Sequence, residues 1–219
     1  MIISNSNNFV FIHLDKCGGT SVENALNPYL KNDDIKLGTL DFEPDHKELY
    51  YLEKYNLKKH SGAKDIKKHV GGKWESMYKF ATVRNPKDIM ISLYYYVKKN
   101  FNESIENDEY FDIYKKTIID NSGIDGFIKN IIKCNYSSSY TITSRIDESV
   151  ELFDIDFIDV HWSHILEKLN IKENVKLNKL NKSIKPKDIF LNNETLNLIR
   201  DHFDVDYKNI PLKTGSIWK

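Results

Sequence analysis

The sequence predicts an α/β fold, a central parallel sheet flanked by helices in a single domain. Three observations predict it. A short apolar run near the start is followed by a glycine loop and a helix-compatible stretch, and a second strand-loop-helix unit lies mid-chain. Two such units in series imply parallel strands covered by helices. The length, 219 residues at 40% hydrophobic, is enough for one sizeable core and short for two.

The first unit opens with Phe9-Val10-Phe11-Ile12-His13-Leu14, an apolar run stopped by polar and glycine residues and followed by a helix expected from Thr20 to Leu30. Residues 44–56, with Leu49, Leu52 and Tyr55 on one face, and 63–69 read as helices. In the second unit Tyr78 to Val83 is a strand, Arg84-Asn85-Pro86 its turn, and Lys87 to Lys99 a helix with Pro86 near its first turn.

Residues 100–121 are polar, aromatic and weakly periodic, which fits an excursion facing an acceptor better than core. Helical spacing returns through Ile124, Phe127, Ile128, Ile131 and Ile132. Val150 to Val160 offers one or two strands, and Trp162 to Leu169 a short helix. Asn193-Glu194 opens an amphipathic helix running to Phe203, with Leu196, Ile199 and Phe203 on its apolar face.

Charge excludes some partners. Lys plus Arg equal Asp plus Glu at 32 each, so no overall field draws the chain to nucleic acid or anionic membrane. Cys17 and Cys134 are too few and too far apart for a disulfide scaffold. No apolar run approaches the roughly 20 residues that span a bilayer. The expected location is the cytoplasm.

The loop Asp15-Lys16-Cys17-Gly18-Gly19-Thr20-Ser21 sits between the first strand and its helix, where N–H groups at a helix N-terminus converge. Gly18 and Gly19 permit close backbone approach, Thr20 and Ser21 offer hydroxyls, and Lys16 adds a positive charge. A phosphate is the natural guest, and the predicted sheet is of P-loop type. A tight Gly-Gly turn with Thr20 as N-cap is the plainer reading of the same residues. The NTPase spacing G-x-x-x-x-G-K-[ST] is absent, because here the lysine precedes the glycines.

The second segment, Phe80 to Tyr96, contains Arg84-Asn85-Pro86 and Ser92-Leu93-Tyr94-Tyr95-Tyr96. Paired with the Lys-x-Gly-Gly-Thr-Ser loop, it resembles the sulfotransferases that use 3′-phosphoadenosine 5′-phosphosulfate (PAPS), nearest the carbohydrate sulfotransferase branch. His60-Ser61-Gly62-Ala63-Lys64-Asp65-Ile66 is similar to that family's His-x-x-Ala-x-x-Ile segment. Asp156-Phe157-Ile158, Leu180-Asn181-Lys182-Ser183 and Phe203 to Tyr207 add weaker similarity in order, so the resemblance spans about Phe9 to Tyr207. It departs at Asp15, where a proline is usual. It departs again at Ile89, where arginine is frequent, and in an expected strand after Asp156, where His161-Trp162-Ser163 stands in place of a glutamate.

The resemblance implies that Lys16, Cys17, Gly18, Gly19, Thr20 and Ser21 grip the 5′-phosphosulfate, while Arg84 and Ser92 hold the 3′-phosphate. It implies an in-line sulfuryl transfer from PAPS to a hydroxyl of a carbohydrate-like acceptor, with adenosine 3′,5′-bisphosphate as product and no metal. Arg84 offers a planar fork matched to phosphate oxygens. A base must take the acceptor proton, and a histidine titrating near neutrality suits that role. His60 heads the segment where the family places a histidine; His69 is the second choice. His13 reads as a packed side chain, and His161 and His164 as residues flanking a helix start. Lys16 is expected beside the leaving oxygen. At least one of the three consecutive tyrosines is expected in the core, Trp74 is expected as a buried anchor, and residues 213–216 could close over a nucleotide. Two other readings are a nucleotide or nucleoside kinase, which would need a lysine after the glycines and an acidic metal ligand, and an inactive nucleotide-binding module of the same fold.

Overall fold

The computed structural model describes residues 1–38, 46–100, 116, 123–135, 140–173, 175–178 and 189–210. Most of the expected excursion at residues 100–121, the whole family-like stretch at 180–183 and the tail at 213–216 lie outside the described residues. The chain falls into two compact units. One holds Met1–Arg84 and Ile142–Leu180, and the other Asn85–Thr141 and Asn181–Ile210.

The first unit is built on a five-stranded mixed sheet flanked by helices. Its strands are β1 (Ile2–Ser4), β2 (Phe9–Ile12), β3 (Ile35–Lys36), β4 (Tyr78–Val83) and β5 (Glu151–Asp154), in the order β3-β1-β2-β4-β5. Strands β2, β4 and β5 run parallel, with Phe11 opposite Phe80 and Ala81 opposite Leu152. The all-parallel expectation is corrected at one edge, because β1 pairs antiparallel with both β2 and β3. The turn at residues 5–8 is too short for a crossover, so β1 and β2 can only form a hairpin.

Successive residues of a strand face opposite sides; β2 is apolar and buried on both, and β4 is buried on both from Lys79 to Val83, with Lys79 and Thr82 as its polar members. Phe9, Phe11, Phe80 and Phe153 form one aromatic row, with the Phe11 and Phe80 rings 5.1 Å apart. Helices α1 (Gly19–Leu26) and, later in the chain, Ile158–Lys168 cover that row through Val22, Leu26, Ile158, Trp162 and Ile165. Trp74 is fully buried, as an anchor should be.

Several boundaries differ from expectation. The first helix ends at Leu26 and continues as a 3-10 turn over Asn27–Tyr29, because Pro28 cannot donate into an α-helical ladder. Helix α2 (His46–Tyr55) leaves Leu49, Leu52 and Tyr55 more than a third exposed, so its apolar face is not part of the core. Helix α3 spans Ala63–Val70.

The second unit contains α4 (Pro86–Lys99), α5 (Gly123–Lys133), α7 (Asn193–His202) and α8 (Asp204–Asn209). In chain order α6 is the helix Ile158–Lys168 of the first unit. Among the described residues no strand follows Asp156: a 3-10 turn at Ile155–Phe157, capped by Asp154, leads straight into α6, so His161, Trp162 and Ser163 are helical.

Helices α4, α5 and α7 pack on one another. Pro86 occupies the first turn of α4, and Asn85 caps it by accepting from the Lys87 amide at 3.0 Å. Tyr207 donates to the same Asn85 oxygen at 3.1 Å. Asn192 caps α7 in the same way through the Thr195 amide. Tyr94, Tyr95 and Tyr96 are each half-buried, with Tyr94 edge-on to Phe127, so none of the three is fully in the core. Among the described residues no helix is long and apolar enough to cross a membrane.

Candidate functional site

Two loops leave the carboxyl ends of the neighbouring parallel strands β2 and β4, the edge where open α/β sheets present ligand-facing residues. In the first, the backbone turns left-handed twice, at Lys16 (φ 59°) and Gly18 (φ 78°). Gly18 adopts this conformation freely, whereas a lysine there costs on the order of 1 kcal/mol, so the surrounding loop must hold it.

The two glycines are also required by packing within the chain. A Cβ on Gly18 would stand 2.7 Å from the Ile155 side chain, and one on Gly19 would stand 2.3 Å from the His13 ring. Sequence reasoning assigned both to ligand approach or to a tight turn and missed these contacts. The capping residue of α1 is Gly18 rather than Thr20, with no side-chain cap bond and no acid in the first turn. The helix therefore starts with its positive dipole end open to an anion. Cys17 is fully buried with its amide on the Leu14 carbonyl at 3.4 Å, and the Ser21 amide goes to the Gly18 carbonyl at 3.0 Å.

Beneath the loop lies a charged network that the sequence did not announce. His13 Nδ1 is 2.8 Å from Glu23 Oε1, and the Met1 ammonium is 2.5 Å from the same oxygen. Burial holds the His13 imidazole down to about 3, so it stays neutral and donates from Nδ1. Burial alone would push the Glu23 carboxyl up, but the His13 hydrogen bond and the Met1 ammonium bring it down to about 2.

The His13 ring meets His60 edge to face at a centroid distance of 4.7 Å. His60 Nδ1 is 2.9 Å from the His13 carbonyl oxygen, and its Nε2 is 3.2 Å from Asp15 Oδ1. Burial lowers the His60 pKa, while Asp15 and the His13 carbonyl act against that shift. The His60 side chain keeps 30% of its surface exposed. Arg145 donates from Nη1 to the His60 carbonyl, and its own carbonyl receives the Ala63 amide at 2.7 Å, which pins the start of α3. His69, the second histidine considered, sits instead at the end of α3 against Tyr55 and Tyr51, with ring centroids at 4.5 and 5.7 Å.

Arg84, at the end of β4, donates from Nη1 to the Lys16 carbonyl at 3.4 Å. Its Nε is buried with no hydrogen-bond partner among the described residues. A guanidinium with one long bond and a buried orphan donor has capacity left for an oxyanion. The sequence-predicted Lys16, Gly18, Gly19, Thr20, His60 and Arg84 thus belong to one unit and surround one loop. Ser92 belongs to the other unit, on a face of α4 where it is 8% exposed among Ile89, Met90 and Leu93.

Beside α1, a groove of about 400 Å³ is lined by Ser21, Asn24, Ala25, Tyr29, Lys176 and Asn178. Among the described residues no three of His, Cys, Asp or Glu come together in a group that could hold a metal.

The fold and site define an α/β protein with cationic side chains, an uncapped helix start and a histidine–carboxylate pair gathered at the carboxyl edge of adjacent parallel strands. Compared with family models, with curated proteins and with solved structures, the chain matches none of them.

Proposed function

We propose that this chain is a sulfotransferase of P-loop type that moves a sulfuryl group from PAPS to a hydroxyl of a carbohydrate-like acceptor. The observation that carries the reading is the meeting of Arg84 with the Lys16 loop, two anion-directed elements from separate strand ends that share one edge. Its buried, unpartnered Nε fits a phosphate oxygen. The groove next to Ser21 lies within the usual volume range of small-molecule sites and suits the nucleoside of the donor.

In this reading the acceptor oxygen attacks sulfur as the bridging sulfur–oxygen bond breaks, and the electron pair leaves on the 5′-phosphate of adenosine 3′,5′-bisphosphate. The developing charge falls to Lys16 and to the amides at the start of α1. The acceptor proton passes to His60. Its Nδ1 proton is committed to the His13 carbonyl, so Nε2 is the atom that receives it.

Calorimetry with purified protein tests the donor. Adenosine 3′,5′-bisphosphate should bind without magnesium and far better than ATP, and labelled sulfate should then move from PAPS to a member of a glycan, lipid and phenol panel. A preference for magnesium-ATP would point to a kinase. Binding of the bisphosphate with no transfer to any acceptor would leave a nucleotide-binding module.

A further inference from the structure

We infer that Asp15 is a positioning residue that sets the proton affinity of His60. The inference rests on the sulfotransferase reading for its catalytic meaning, but the pairing itself is independent of any substrate. His60 Nδ1 faces a carbonyl oxygen at 2.9 Å, which can only accept, so that nitrogen carries a proton. Nε2 faces Asp15 Oδ1 at 3.2 Å. The carboxylate's negative charge at that distance acts through space and favours the protonated ring over the neutral one. Asp15 therefore stabilises the imidazolium that forms when Nε2 takes the acceptor proton.

The surroundings explain why such a partner is needed. The Met1 ammonium and Lys59 disfavour a second positive charge on His60, as does burial. Arg145 brings a guanidinium to the His60 carbonyl, and the neutral His13 ring abuts the imidazole. Glu23 lies behind His13, already committed to that ring and to the ammonium. Asp15 is the carboxylate in contact with the His60 ring, and it occupies a position where the family resemblance has proline, which could not do this.

During transfer the acceptor O–H bond breaks, the proton joins Nε2, and the carboxylate is unchanged. Removing the carboxylate should lower the His60 pKa by about one unit. The acid limb of kcat/KM should move down by the same amount, and its plateau should fall several-fold because the base is weaker.

The decisive measurement is NMR titration of ring-labelled histidine in full-length protein without donor or acceptor, with His60 identified by its missing signal in His60→Asn. In Asp15→Asn the His60 midpoint should drop by about one unit, and in Asp15→Glu it should return toward the parent value. A midpoint unchanged in Asp15→Asn overturns the inference. If that variant does not fold, the parent protein suffices, because the labelled Asp15 carboxyl carbon must inflect at the His60 midpoint, and a flat response there overturns it equally. Absence of sulfate transfer would defeat the functional reading while leaving this titration result intact, so the two failures are distinguishable.

Discussion

Arg84 donates to the carbonyl oxygen of Lys16, 68 residues earlier in the chain, at 3.4 Å. This single contact ties the end of β4 to the left-handed turn after β2. Replacing Arg84 with Ala should weaken adenosine 3′,5′-bisphosphate binding roughly tenfold to a hundredfold by calorimetry. Lysine at the same position should recover little of it, because a point charge cannot reproduce the planar fork. Equal affinity in all three proteins would remove Arg84 from the site.

Gly19 is fixed by His13. A methyl group at residue 19 must displace the buried ring it would meet at 2.3 Å, so Gly19→Ala should cost about 1–3 kcal/mol in urea unfolding. Since that ring packs on His60, the variant should also disturb the His60 NMR signal. Unaltered stability would mean that the ring has room to move.

Acid should destabilise the fold, starting near neutrality. His13 titrates at about 3 in the fold against 6.5 when exposed, so the unfolded chain binds more protons between those values and stability falls as pH drops through that window. Glu23, at about 2 against 4.5, extends the loss to lower pH, and the lowered His60 acts in the same direction as His13. The urea midpoint should therefore be clearly lower at pH 5 than at pH 7.5. A His13→Gln variant should show a flatter profile, and an identical slope in both proteins would mean His13 is not buried neutral.

His60→Ala should spare bisphosphate binding and reduce sulfate transfer by about 10²–10⁴-fold. His69→Ala should leave transfer near the parent rate, since that ring packs against Tyr51 and Tyr55. The opposite ranking would move the base to α3.

Much of the fold was legible because β2 and β4 carry the largely apolar runs of central parallel strands, and Pro86 and Asn193-Glu194 carry helix-start chemistry. The antiparallel strands β1 and β3 were missed because three residues and two residues are too short to show a period. Residues 150–160 read as one or two strands, but only Glu151–Asp154 is one, because Asp154 caps the turn at Ile155–Phe157 that leads into a helix. In the site, Lys16 was singled out from its glycine loop, and Arg84 and His60 chiefly from the family resemblance. Asp15 and Glu23 were not, since their partners His60 and His13 come from elsewhere in the chain. One local signal was present: an acid in a loop otherwise suited to anions calls for a proton-bearing neighbour.

The sheet also dictates an order of assembly. Strand β4 receives β2 on one side early, but its other side waits for β5, and the aromatic row stays open until α6 arrives at Ile158–Lys168. A nascent chain stalled before β5 would show Phe80 with a bare strand edge to its neighbours on the polysome. Fragments ending there should cling to chaperones and precipitate, and those that include α6 should stay dispersed.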